Sequence, residues 1–323
     1  MNGAGGPWDS PARERFEKGG AIAERYPYAP VPSFRMRSRL GRRAHPDPAP
    51  SYVPRWQREI EAPECPPGWQ TGPPDFVGVG GQRCGTSWWY RGTLRSHPQM
   101  VRLAKPGKEL HYFDRFWEGE PPADFAERYH RLFPRPEGSI TGEWTPRYML
   151  DFWALPLLKQ AAPEAKILVM LRDPVERFRS GVEYERTQVA ENGQIWELSR
   201  LSEAVYRSMY YEQLRHVLGT FDPGRVLILQ YEHCKADPVG EMQRTHRFLG
   251  IEPLPELPEK AVERKRPPAS KPELPEAQRA ELIARLGDDV ARLAALVPGI
   301  DLSLWPDFAG IVPDSTVAAA TTA

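Results

Sequence analysis

Residues 75–87, Asp-Phe-Val-Gly-Val-Gly-Gly-Gln-Arg-Cys-Gly-Thr-Ser, decide how the rest of the chain is read. The segment opens as a short apolar run, Phe76 to Val79, and closes in glycines. From Thr86 to about Ser96 the spacing is compatible with a helix. A strand, a glycine turn and a helix therefore follow one another without a break. Between Gly80 and Gly85 the spacing is GxxxxG, and bare N–H groups in such a turn, together with the helix N-terminus, can cradle a phosphate. That geometry suits the 5′ end of a nucleotide, although the same spacing also serves as a plain tight turn.

Two further short apolar runs have strand composition: Lys166 to Leu171, KILVML, and Arg225 to Gln230, RVLILQ. Each is followed by a helix opening with proline in the first turn, at Pro174 and Pro238. Pro122 to Phe133, Asp151 to Ala161, Leu201 to Phe221 and Pro275 to Leu296 carry helix-compatible apolar spacing. Strands alternating with helices predict an α/β fold, a P-loop-like three-layer α/β/α arrangement around a mostly parallel central sheet.

Composition bounds the partners. Lys plus Arg and Asp plus Glu balance at 43 each, so the overall field calls for neither nucleic acid nor an anionic membrane. Any anion site must be local. No run is apolar enough for a membrane span and the first twenty residues lack the apolar core of a signal peptide, so a cytoplasmic location is the expectation. Cys65, Cys84 and Cys234 form no CxxC pair, and the histidines form no HExxH, so no disulfide framework and no metal are expected. Residues 1–70 read as a Pro- and Arg-rich irregular extension, with seven arginines between Arg35 and Arg58. The domain proper is expected over 71–308, followed by a disordered tail over 309–323.

A nucleoside triphosphatase loop would follow its second glycine with lysine, whereas Gly85 is followed by Thr86 and Ser87. The cation lies inside the turn instead, at Arg83. Residues 76–98, FVGVGGQRCGTSWWYRGTLRSHP, resemble the 5′-phosphosulfate-binding motif of sulfotransferases that use PAPS (3′-phosphoadenosine-5′-phosphosulfate), particularly the heparan sulfate type and its bacterial relatives. In that family the place of Arg83 is usually held by lysine, so the charge is kept and its geometry changed.

The resemblance extends along the chain to about Phe308. Residues 108–114, KELHYFD, resemble the signature KExHFFD, in which the glutamate is the catalytic base. This implies Glu109 as base, with His111 as the second candidate and a raised carboxyl pKa expected in a partly dry cleft. A plain ion pair of Glu109 with Lys105 or Lys108, over a core of Tyr112 and Phe113, is the other reading of those residues. Residues 142–148, GEWTPRY, resemble GEKTPxY, whose lysine often meets the sulfuryl oxygens. Trp144 stands in its place, and Arg83, Lys105 or Arg147 are the candidates to compensate.

Arg172 and Ser180, in RDPVERFRS after the strand KILVML, resemble the arginine and serine, eight positions apart, that hold the 3′-phosphate. By the same resemblance Arg83, Cys84, Gly85, Thr86 and Ser87 hold the 5′ end, and Lys265 and Arg266, in the basic loop 262–271, close over the nucleotide. The expected activity is sulfuryl transfer from PAPS to a hydroxyl or amine of a glycan, lipid-linked sugar or small natural product, leaving PAP as product. A P-loop kinase-like phosphotransferase, or an inactive nucleotide-binding protein of the same fold, are the alternatives.

Overall fold

The computed structural model describes residues 60–103, 107–192, 199–258 and 273–320. Expectations for the N-terminal extension up to residue 59, and for Lys105, Lys265 and Arg266, lie outside the described residues. Four strands, β1 (Phe76–Gly80), β2 (Gly142–Trp144), β3 (Lys166–Leu171) and β4 (Val226–Gln230), form one sheet in the order β2-β1-β3-β4. All three pairings are parallel, with Phe76 opposite Gly142 and Lys166, and Ile167 opposite Val226. Every residue of β1 is buried, and so are the last five of β3, which is why both segments read as unbroken apolar runs. The expected P-loop-like α/β fold is the one observed.

Among the described residues the α-helices in chain order are α1 (Thr86–Trp89, continuing as a wider turn over Tyr90–Leu94), α2 (Phe125–His130), α3 (Ala154–Ala161) and α4 (Pro174–Asn192). They are followed by α5 (Ser199–Tyr206), α6 (Tyr211–Thr220), α7 (Tyr231–Ala236), α8 (Pro238–Leu249), α9 (Glu276–Leu296) and α10 (Ser315–Ala320). Asp173 opens α4, its carboxylate accepting from Glu176 N at 2.9 Å with Pro174 in the first position. The single helix expected over 201–221 is broken, because the buried carboxylate of Asp289 on α9 accepts from the N–H groups of both Tyr210 and Tyr211 and starts α6 afresh. Ahead of Lys108 the chain makes one isolated parallel bridge, Met100 with Ile140.

The tail expected to be disordered is ordered over its described part. Asp314 N donates to Ala291 O on α9, and α10 brings Val317 into the core. Ile311 packs against the same core, so apolar burial on both sides of that bond folds the segment back.

One contact governs the middle of the sheet. Gly78 of β1 lies opposite Trp144 of β2, whose indole covers the space a side chain at 78 would need: a Cβ there would stand 2.0 Å from Trp144 Cγ. Gly78→Ala is expected to lose about 3 kcal/mol of stability through overpacking. A shift of the urea midpoint measures it.

Candidate active site

Three of the motifs singled out in the sequence stand at the carboxyl ends of strands. The glycine turn follows β1, residues 145–148 follow β2, Arg172 follows β3 and Tyr231 follows β4. The chain passes from β1 to β2 on one side and reaches β3 on the other. The crevice at β1 is thus the switch point where open α/β sheets bind ligands.

The turn is fixed from beneath. Gly81 N donates to Met170 O of β3 at 2.9 Å, and Gly85 adopts a left-handed φ of +98°. A Cβ on Gly85 would stand 2.6 Å from the ring of Tyr231, so glycine is required here on two counts. Cys84 points inward: its thiol is fully buried, 3.5 Å from the Tyr210 hydroxyl, which in turn donates to Arg172 O at 2.9 Å. Any share Cys84 has in holding an anion therefore falls to its backbone. Thr86 and Ser87 put their hydroxyls at the start of α1.

The two arginines expected at opposite ends of the nucleotide meet. Arg172 Nη1 donates to Arg83 O at 3.4 Å, and Arg83 Nε donates to Ser180 Oγ at 3.3 Å. Each guanidinium also lies over an aromatic ring at 4.8 Å, Arg83 over Tyr184 and Arg172 over Tyr231. Arg172 Nη2 reaches Glu176 at 3.4 Å, the surface ion pair of an ordinary helix start. Its Nε, however, is buried with no hydrogen-bond partner among the described residues. A buried guanidinium N–H without an acceptor is costly unless an anion supplies one.

Sequence reasoning passed over Arg177. Only 1% exposed, it runs from α4 back to the turn, donating to Gln82 O at 3.1 Å and, through Nη1, to Ala204 O and Ser208 Oγ. Burial lowers its pKa to about 10, so it stays a cation at neutral pH. The motif RDPVERFRS thus carries a structural arginine between its two expected phosphate ligands. Only its distance from any partner in sequence hid it.

Residues 108–113 have no regular structure, with a 3-10 turn opening at Asp114, and are held by side chains in and just after β2. Leu110 N donates to Glu143 at 3.1 Å, His111 N to Thr145 Oγ1 at 3.2 Å and Tyr112 N to the Tyr148 hydroxyl at 2.8 Å. Three successive N–H groups are satisfied by GEWTPRY, which explains how His111 is kept at a φ of +52°. Glu143 also accepts from Tyr129, Tyr148 and Thr145. Burial raises its carboxyl to about 7 against those hydrogen bonds.

Glu109, His111 and Asp114 form a line. His111 Nδ1 lies 2.5 Å from Asp114 Oδ2, and Nε2 lies 3.5 Å from Glu109 Oε2. Lys108 Nζ contacts Glu109 Oε1 at 3.1 Å, so the ion pair offered as the plainer reading is present, over a buried Tyr112 and Phe113. It stands beside the glycine turn. The expected rise of the Glu109 pKa is overturned. Burial pushes the carboxyl up, but the hydrogen bond from His111 and the charge of Lys108 outweigh it and bring it to about 2.

Burial would lower His111, yet its bonds to Asp114 and Glu109 lift it to about 9. A raised imidazole contributes stability that is complete below its ordinary value of 6.5 and is lost as pH climbs through 9. The gap in urea midpoint between wild type and His111→Gln is therefore expected to be constant below pH 6.5 and to shrink towards pH 9.

Trp144 is fully buried, and its Nε1 donates to Gly80 O at 2.9 Å. Of the expected compensating cations, Arg147 is engaged with Asp151 at 2.8 Å and lies 4.0 Å from Asp114. Among the described residues no cluster of three or more His, Cys, Asp or Glu could hold a metal ion, and no helix is long and apolar enough to cross a membrane.

Residues 73–266 match the family model described as a sulfotransferase domain. The heparan sulfate glucosamine 3-O-sulfotransferase 6 of Homo sapiens is 31% identical over 169 residues, covering 49% of this chain and 47% of its own length. Its Mus musculus counterpart is 29% identical over 221 residues, covering 64% of this chain and 61% of its own. The chain spans about half the length of the curated relatives it matches. Among solved structures, a sulfotransferase from Alicyclobacillus acidocaldarius superposes with a TM-score of 0.56 at 27% identity, covering 72% of this chain and 98% of that one.

Proposed function

The chain belongs to the sulfotransferase domain family, and from that premise we propose that it transfers the sulfuryl group of PAPS to an acceptor hydroxyl or amine, with Glu109 as general base. The observation that carries this reading is the meeting of the glycine turn with the start of α4. Arg172 bonds to the carbonyl of Arg83, Arg83 bonds to Ser180, and among the described residues Arg172 keeps a buried N–H in want of an acceptor.

The donor would be held at two ends. Arg172 and Ser180 would take the 3′-phosphate, and the turn from Arg83 to Ser87 the 5′ end, where the loop N–H groups neutralise charge on the departing phosphate. Lys265 and Arg266 are assigned to the same nucleotide by their place in the sequence. PAPS when bound supplies the activated sulfuryl group; the protein's share is positioning and fixed charge, as in phosphoryl transfer. Glu109 is ionised at neutral pH and takes the acceptor proton as the new bond to sulfur forms. His111, braced by Asp114, orients that carboxylate and steadies its charge. No metal enters this scheme, since cations already surround the transferred group.

The names of the relatives mention heparan sulfate glucosamine, which supports a glycan hydroxyl as the acceptor class. The test is transfer of radiolabelled sulfuryl from PAPS to a panel of glycan fragments and simple phenols. Label on an acceptor that requires Glu109 is expected. Phosphoryl transfer from ATP with magnesium, and none from PAPS, would overturn the reading.

A further inference from the structure

Lys108 is the residue whose position the sequence explains least. Its carbonyl accepts from Trp144 N at 2.8 Å, which sets it at the end of β2, and its side chain is only 12% exposed. From there Nζ donates to Thr86 Oγ1 at 2.9 Å, to Ser87 Oγ at 3.3 Å and to Glu109 Oε1 at 3.1 Å. An ammonium has three donors and no acceptor, so these three oxygens use it fully. It also lies 5.8 Å from the centre of the Trp144 ring. That ring is committed elsewhere, packed on Gly78 and bonded to Gly80 O, so residue 144 offers a face to a cation and no charge of its own.

We propose that Lys108 is the cation that meets the sulfuryl oxygens in this chain, and that its transfer from Glu109 to those oxygens when the donor arrives frees the carboxylate to act as base. This rests on the donor-binding reading of the glycine turn. Thr86 and Ser87 are hydroxyls that accept from Lys108 now and can donate to an anion instead, so an anion seated against the start of α1 falls within reach of all three groups. Lys108 is thereby offered charged oxygens in exchange for two neutral ones and a share of a carboxylate.

Released from its ammonium, Glu109 loses the nearest charge that lowers its carboxyl, while His111 stays beside it, and its affinity for a proton rises as the acceptor comes in. Glu109 then takes the acceptor's proton, and the acceptor's electron pair forms the new bond to sulfur. The bond from sulfur to the 5′-phosphate oxygen breaks with its pair going to PAP. Lys108 keeps its proton throughout and returns to Glu109 when the products leave.

Lys108→Met and Lys108→Arg are the variants that test this. Lys108→Met is expected to lower turnover by about 100-fold with PAP affinity within about threefold of wild type, because PAP lacks the sulfuryl group. Lys108→Arg is expected to recover about tenfold of that loss. A readout independent of turnover is the carbon NMR titration of the Glu109 carboxyl. Its midpoint is expected to rise by a unit or more in Lys108→Met without ligand. In wild type it should rise on adding PAPS without acceptor, but not on adding PAP. Turnover within about threefold of wild type in a folded Lys108→Met protein, or a Glu109 titration indifferent to that substitution, overturns the proposal alone. Failure of the wild-type protein to bind PAP overturns the donor reading with it.

Discussion

Glu109→Gln is expected to lower the turnover number by about a thousandfold while leaving the affinity for PAP within about threefold of wild type, the scale of losing a positioned general base. Glutamine has the same shape and can still accept from Lys108, but it cannot take a proton. The loop that carries it stays in place, since its backbone is pinned at Leu110, His111 and Tyr112 by Glu143, Thr145 and Tyr148, and no bond in that set involves the side chain at 109. The bonds of Arg172 to Arg83 O and Glu176, and of Ser180 to Arg83, run to other groups, so the grip on the nucleotide is expected to hold. Steady-state kinetics and calorimetry on the same preparation separate the two quantities. A parallel loss of PAP binding would refute the division of labour between Glu109 and the arginines.

Arg172→Ala is expected to do the reverse, raising the dissociation constant for PAP by about 100-fold, or roughly 3 kcal/mol, with turnover at saturating donor changed only a few-fold. The guanidinium lies between the turn and α4, stacked on Tyr231 and bonded to Arg83 O, with one N–H unsatisfied among the described residues. Alanine removes the fork and leaves Glu176 bonded to Arg179 at 2.6 Å, so the start of α4 keeps an ion pair of its own. Calorimetric titration of PAP against wild type and variant reads the effect, and matching urea midpoints would show that the fold is intact. Unchanged PAP affinity would mean that the 3′-phosphate lies elsewhere.

How much of this the sequence held depends on how local the cause is. KILVML is β3 to the residue, because a strand buried on both faces must be apolar throughout. β4 begins one residue later than its apolar run, since Asp222 caps a tight turn over Pro223–Arg225. Strand β2 carried no pattern: three residues are too few for a period, and Gly142 joins the sheet because it lies flat on Phe76.

The glycine turn and the arginine after β3 were legible as motifs, and the structure brings them together. The supports of the site were not legible. Arg177 reaches Gln82 across 95 positions, and Glu143 reaches Leu110 across 33. Nothing in the neighbourhood of either residue encodes such a bond. The sign of the Glu109 shift failed for the same kind of reason: burial was foreseeable, whereas the simultaneous approach of Lys108 and His111 required the fold.

The central claim is that the turn after β1 and the start of α4 hold one adenosine bearing phosphates at both ends. Calorimetric titration of the wild-type protein with PAP, set beside adenosine 5′-phosphate, tests it most directly. One PAP per chain is expected, bound at least about 30-fold more tightly than the monophosphate. Equal affinity for the two nucleotides, or no binding of PAP at all, would contradict it.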